Sequence, residues 1–234
     1  MELLLVIDAL HRQGITDIKA IIPWLCYSPQ DKVFRPGEPL SSAVIARILS
    51  NSGLKAVYVL DIHNESVCDF FDIPIRNLIP IEVFADALLP DINEDYLCVA
   101  LDKGSFKRTE KLADALGLDL LKLYKRRDLH SGEIDYEKLK TDLKGKTTVA
   151  IDDYTGSGST VIKSAEMLKT NGAQKCVYCV SHMFDNGVAD LLLDSKVDRL
   201  LTTKASISEE KVPASDGLIS VLDVSPVFAK FMRD

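Results

Sequence analysis

Two adjacent acids, Asp152 and Asp153, precede Tyr154-Thr155-Gly156-Ser157-Gly158-Ser159-Thr160, a run of small and hydroxylated residues. The chemistry suited to this composition is the gripping of a phosphate. Glycines let a backbone turn its N–H groups inward, and a helix that begins after them adds positive potential at its N-terminus. Ser157, Ser159 and Thr160 can donate hydroxyl hydrogen bonds to the same oxygens. The acids stand just before the loop, where they suit sugar hydroxyls or a Mg²⁺ ion. The spacing is neither the GxxxxGK[ST] of a P-loop nor the GxGxxG of a dinucleotide fold. A polar strand-to-helix turn with a serine or threonine cap has the same composition, and residue type alone leaves both readings open.

Such a loop needs a strand before it and a helix after it. Val149-Ala150-Ile151 reads as a strand buried on both faces, with the acids at its carboxyl end, and Val161 to Leu168 resumes with helical spacing. The rest of the chain alternates in the same way. Strands are expected over 19–23, 56–60, 96–101, 119–124, 174–181, 197–202 and 218–221. Helices are expected over 2–14, 41–51, within 78–89, and over 108–116, 186–194 and 225–231. This predicts an α/β protein with mainly parallel sheets flanked by helices, in which ligands bind at the carboxyl ends of strands. The strand-end residues are therefore the candidates: His63, Asp102, Lys125 to Arg127, and Asp152-Asp153. A composition break at Asp72 to Pro80, with two prolines among short apolar pairs, predicts two halves, 1–76 and 77–234. Each candidate also has a plainer reading. His63 could be a structural histidine, Asp102 a helix cap, Lys125 to Arg127 a solvated basic turn, and Gln30-Asp31 the close of a proline turn.

Composition narrows the function. The 234 residues carry a formal net charge of −7, with a pI near 5.2, 47% hydrophobic and 27% charged residues. That balance argues against a general nucleic-acid or anionic-membrane surface. No apolar run approaches the roughly 20 residues of a membrane span. The start, Met1 to Asp8, lacks the basic segment of a signal peptide. Five irregularly spaced cysteines predict reduced thiols in a cytoplasm. Cys176 and Cys179 form a CxxC, but in a strand positions three apart face opposite sides, which argues against a shared metal.

Several segments, in order, resemble the ribose-phosphate pyrophosphokinase (PRPP synthase) family, whose C-terminal half resembles type I phosphoribosyltransferases. Ile21-Ile22-Pro23-Trp24-Leu25-Cys26-Tyr27-Ser28-Pro29-Gln30-Asp31-Lys32 is similar to the family's IPYxxYARQDK. Phe34-Arg35-Pro36-Gly37-Glu38 is similar to the F-x-P-G-E of archaeal-type members. Asp61-Ile62-His63 with Asp69-Phe70-Phe71 resembles D-L-H…FF, and Leu101-Asp102-Lys103-Gly104 resembles PDKG. Lys125-x-Arg127 resembles the K-x-R of the catalytic flexible loop, and Ile151-Asp152-Asp153…Gly158-Ser159-Thr160 stands where the family has VDD…TGGT.

The resemblance implies two phosphoribosyltransferase-like halves, the N-terminal one shortened, and transfer of diphosphate from Mg·ATP to ribose 5-phosphate in nucleotide biosynthesis. It assigns Gly156, Ser157, Gly158, Ser159 and Thr160 to the 5-phosphate, and Asp152 and Asp153 to the ribose hydroxyls. Lys125 and Arg127 are the implied catalytic cations, Gln30 and Asp31 lie near the nucleotide, and His63 and Asp102 hold Mg²⁺. A homo-oligomer in the cytoplasm is implied, without nucleic-acid or membrane partners. Three departures stand out. The chain begins where the family already has N-terminal strands, Pro29 replaces an arginine, and the loop reads TGSGST. They keep open a phosphoribosyltransferase-like enzyme that binds PRPP, or a non-catalytic member that binds phosphoribosyl ligands.

Overall fold

The computed structural model describes residues 1–123, 125–127, 134–136, 141–184, 187–212 and 217–232. They cluster into two units, Met1–Ile79 with Ser225–Asp234, and Pro80–Val224.

The first unit contains α1 (Glu2–Arg12), β1 (Lys19–Ile22), α2 (Ser41–Ser50), β2 (Ala56–Leu60) and β3 (Ile75–Leu78). The strands are parallel in the order β1-β2-β3, with Ala20 opposite Val57 and Val59 opposite Asn77. Ile7 of α1 and Leu49 of α2 bury against Ile18, Ala20, Val57 and Val59. The third strand was not expected, because prolines flank it. Pro74, however, enters the ladder only as an acceptor, its carbonyl taking the Val57 N–H at 2.9 Å. A proline just before a strand therefore costs no hydrogen bond. The C-terminal segment returns to this unit, with Arg76 lying 5.5 Å over the Phe231 ring.

The second unit runs through α3 (Ile81–Leu88), β4 (Tyr96–Ala100), α4 (Phe106–Leu116), β5 (Leu120–Lys122), β6 (Lys125–Arg127), β7 (Ile134–Tyr136), β8 (Thr147–Thr155) and α5 (Ser159–Thr170). It ends with β9 (Lys175–Met183), α6 (Val188–Leu193), β10 (Arg199–Thr203) and β11 (Ile219–Leu222); α7 (Ser225–Ala229) belongs to the first unit. Tyr124 and Asn186, at the margins of expected elements, lie outside the described residues.

Six parallel strands form one sheet in the order β11-β10-β9-β8-β4-β5. Helices cover both faces, which is why these strands read as continuous apolar runs. Val149, Ile151, Val177 and Cys179 pack with Phe84, Leu88, Leu112 and Leu116 of α3 and α4. Ala150, Cys176, Tyr178 and Val180 pack with Val161, Ala165 and Leu168 of α5 and with Leu192 of α6. Cys176 and Cys179 thus lie on opposite faces, and all five cysteines are free. Burial pushes the Cys98 thiol up to about 12, so it stays protonated.

One expectation needs correction. The strand does not stop at Ile151; β8 continues through Asp152 and Asp153 to Thr155. The reason is β9, which keeps pairing alongside through Asp152↔Val180, Tyr154↔His182 and Thr155↔Met183. A backbone partner that satisfies the ladder outweighs the low strand preference of two aspartates.

The turn from α5 into β9 relies on Gly172, whose φ is +98°. A Cβ there would come within 3.0 Å of the Lys144 backbone nitrogen, on the turn that leads into β8. Gly172→Ala is expected to lower stability by about 2–3 kcal/mol, since a left-handed backbone and an overlap with main chain add together. Urea unfolding checks this; a loss below about 0.5 kcal/mol would mean that the two turns separate freely.

Candidate functional site

The order of the six-stranded sheet sets the site. From β4 the chain moves to β5 on one side, then returns through β6 and β7 to place β8 on the other. In open parallel sheets the carboxyl ends at such a reversal form the ligand crevice. The β4–β8 ladder runs only from Tyr96↔Thr147 to Cys98↔Val149, whereas β8 stays paired with β9 as far as Thr155. β4 ends at Ala100, level by this register with Ile151, so β8 projects past its shorter neighbour from Asp152 and carries both acids with it.

Asp153 is 3% exposed. Strand alternation puts it on the face of Val149 and Ile151, which α4 covers. On α4 the buried positions are Arg108, Thr109, Leu112, Ala113 and Leu116, so an arginine occupies the core stripe one turn before Leu112. Asp102 follows β4. Its Oδ1 accepts the Ser105 N–H at 2.9 Å, and its own N–H donates to Ser105 Oγ at 3.2 Å. Asp102 is not the cap of α4, whose N-cap position is Ser105, but its bonds with Ser105 fix the carboxylate's orientation. Burial first, then the neighbouring Asp153 and Asp102, push the Asp152 carboxyl well above the ordinary range, while Arg108 draws it back. Two adjacent carboxylates resist full ionisation, so Asp152 gives up its proton less readily than an isolated aspartate.

Between the acids and α5 the loop makes its turn at Gly158, φ +73°. A Cβ at Gly158 would lie 3.3 Å from Val188 Cγ1, so the loop is pinned beneath the start of α6. Ser157 Oγ donates to Ser159 Oγ at 2.9 Å and accepts the Ser159 N–H at 3.4 Å. Ser157 and Ser159 are exposed, Gly156 and Thr160 half-buried, and no acid stands in the first turn of α5. The result is a hydroxyl-lined helix start with uncompensated positive potential.

Lys125 and Arg127 lie on β6, paired antiparallel with Tyr136 and Ile134 of β7. Their side chains are outside the described residues.

In the first unit the candidates gather at strand ends. Gln30 is a clamp: its Nε2 donates to the Pro39 carbonyl at 2.9 Å, its Oε1 accepts Ser41 Oγ, and its carbonyl accepts Ser42 Oγ at 2.9 Å. It thereby holds the start of α2. His63 is exposed beyond β2. Asn64, beside it, donates from Nδ2 to Asp31 Oδ2 at 2.6 Å. Among the described residues only Tyr27 (φ +63°) and Asp61 (φ +44°) are non-glycines with positive φ. Each lies two or three residues before a candidate, and strained backbone of this kind gathers at functional sites.

Sequence reasoning missed Arg108 and Asn64. Arg108 left a signal, since an arginine at the head of the 108-112-116 stripe must be buried with partners. Asn64 left none, because its role depends on a contact across 33 positions.

Mg²⁺ prefers oxygen ligands and is held through one or two carboxylates plus substrate phosphates. Asp102, oriented by Ser105, fits that mode. No group of three His, Cys, Asp or Glu that could hold a metal occurs among the described residues, and no described helix is long and apolar enough to cross a membrane.

Comparison with known proteins agrees with this geometry. A family model described as the N-terminal domain of ribose phosphate pyrophosphokinase matches residues 1–53, and the phosphoribosyl transferase domain matches residues 81–214. Ribose-phosphate pyrophosphokinase of Campylobacter jejuni is 32% identical over 234 residues, covering 100% of this chain and 74% of the relative. That of Clostridium tetani is 32% identical over 236 residues, covering 100% and 73%. The crystal structure of phosphoribosylpyrophosphate synthetase from Mycobacterium smegmatis superposes with a TM-score of 0.87 at 28% identity, covering 100% of this chain and 76% of that one.

The raised Asp152 carboxyl has a consequence for stability. Its folded state keeps a proton that the unfolded chain releases near pH 4. Stability from this group is present below that pH and is lost as pH rises through the folded value. Asp152→Asn removes the loss. In ligand-free, Mg²⁺-free buffer the variant is expected to exceed the wild type by about 1 kcal/mol at pH 8, with the difference closing toward pH 4. Parallel pH profiles in thermal unfolding would show that Asp152 ionises as it does in the unfolded chain.

Proposed function

We propose, since this chain belongs to the ribose-phosphate pyrophosphokinase family, that it transfers the β,γ-diphosphate of ATP to the anomeric hydroxyl of ribose 5-phosphate, giving PRPP and AMP. The observation that carries the reading is the overshoot of β8, which presents Asp152 and Asp153 directly before a glycine turn into α5.

The 5-phosphate would take backbone N–H groups from Gly156 to Thr160, with the Ser157 and Ser159 hydroxyls exchanging their mutual bond for phosphate oxygens. Asp152 and Asp153 would accept the ribose 2- and 3-hydroxyls. In the transfer, the anomeric oxygen forms a bond to the β-phosphorus, the bridge between the α- and β-phosphoryl groups breaks, and AMP leaves with the bridging oxygen. The hydroxyl proton passes to solvent. Little covalent chemistry is asked of the protein, so charge neutralisation dominates. Lys125 and Arg127 would supply it, and Asp31 would face the nucleotide, with Gln30 acting by holding the turn. Asp102 would hold Mg²⁺, which would add charge neutralisation on the diphosphate.

AMP release from Mg·ATP should require ribose 5-phosphate. Lys125→Ala is expected to lower kcat by about 10²–10³-fold with the KM for ribose 5-phosphate little changed. Asp152→Asn should instead raise that KM by about tenfold, the loss of one charge-assisted hydrogen bond. If no AMP appears while PRPP still raises the melting temperature, the chain binds phosphoribosyl ligands for another end.

A further inference from the structure

Asn64 is half-buried and sits between two loops of the first unit, at the start of the 3-10 turn Glu65–Phe70. Its Oδ1 accepts the Ser66 N–H at 3.2 Å, while its Nδ2 donates to Asp31 Oδ2 at 2.6 Å. One side chain thus ties the turn after His63 to the turn that carries Gln30 and Asp31. Asp31 has little else to fix it. The residue two before it is Pro29, which offers neither a cation nor an N–H, and Gln30 is committed to Pro39 and Ser41.

We propose that Asn64 is the positioning residue for Asp31, holding its carboxylate toward the nucleotide through the Nδ2 donor and leaving the ligand-facing oxygen in a fixed direction. The inference rests on the reading of Asp31 as a nucleotide-side residue. A carboxylate accepts only, so what Asp31 receives is a donor of the nucleotide, an exocyclic amine or a ribose hydroxyl, or a Mg²⁺-bound water. Held by Asn64, it meets that donor without first losing rotamer freedom, which is where the gain in affinity lies. Asn64 does not touch the reacting atoms.

Two variants separate positioning from simple structure. Asn64→Asp keeps the acceptor for Ser66 and replaces the Asp31 donor by a second acceptor. Asn64→Ala removes both. Asn64→Asp is expected to fold with a melting temperature near that of the wild type in the presence of salt. It should weaken Mg·ATP binding about tenfold by calorimetric titration without sugar, and raise the KM for ATP by the same factor. The KM for ribose 5-phosphate should stay unchanged. In an Asp31→Ala background the effect of Asn64→Asp should disappear, since the two residues act through one contact. An unchanged ATP affinity, an equal rise in both KM values, or an undiminished effect without Asp31 would each overturn the role. A wild type that releases AMP but shows one of these results loses only this inference. A wild type that binds no ATP loses the diphosphokinase reading and this inference together.

Discussion

Everything at the proposed sugar-phosphate site depends on one mismatch of strand length. β8 is held on one side by β9 through Thr155 and on the other by β4 only to Val149. In the unmatched stretch backbone hydrogen bonds to β9 satisfy the main chain, so a buried Asp153 and a half-buried Asp152 are carried on opposite faces without breaking the sheet. The return of the chain across β4, by way of β6 and β7, places β8 beside this shorter strand.

Placing the acids so close together carries an energetic penalty, and the surrounding residues limit it. Asp102 adds a third negative charge near the pair, and Arg108, buried on the core stripe of α4, supplies the opposing one. An arginine in that stripe would be a poor choice in an ordinary helix, since a buried charge without a partner is worth several kcal/mol of destabilisation (roughly 3–5). Here it moderates a concentration of like charge that the binding of a sugar diol and a cation would otherwise have to overcome. Ser105 performs a matching task for Asp102, trading three hydrogen bonds with it. The loop follows the same logic with neutral groups: Ser157 and Ser159 satisfy each other, a bond that the proposed phosphate would replace.

How much of this the sequence disclosed follows from the range of each interaction. The strands and helices around Val149 to Leu168 were legible because burial on both faces leaves continuous apolar runs, and a glycine-serine turn marks the helix start. The family likeness was legible because short segments recur in order along the chain. The length of β8 was not, since an aspartate pair reads as a strand end unless the partner strand is known to continue. β3 was hidden for a similar reason: Pro74 looks like a breaker until its carbonyl is seen to serve as the acceptor for Val57. Gln30 was legible as the close of a proline turn, whereas Asn64 acts through a contact made possible only by folding, and no local pattern announces it.

The two units solve the same problem with different means. In the second, a strand overshoots and a glycine turns the chain. In the first, the turn after β2 is made by Asp61, a fully buried residue at φ +44°, with its N–H donated to the Leu78 carbonyl at 2.8 Å and the next N–H, of Ile62, donated to Asn77 Oδ1 at 2.9 Å. A glycine would adopt that backbone at less local cost, by about 1 kcal/mol. Aspartate tolerates the left-handed region better than most residues, and β3 over-determines it with two hydrogen bonds on successive N–H groups. That arrangement explains why an unexpected strand matters for function. Without β3 the Leu78 and Asn77 acceptors of the Asp61 and Ile62 N–H groups would be lost, and with them a hold on the direction in which the chain leaves β2 toward His63 and Asn64.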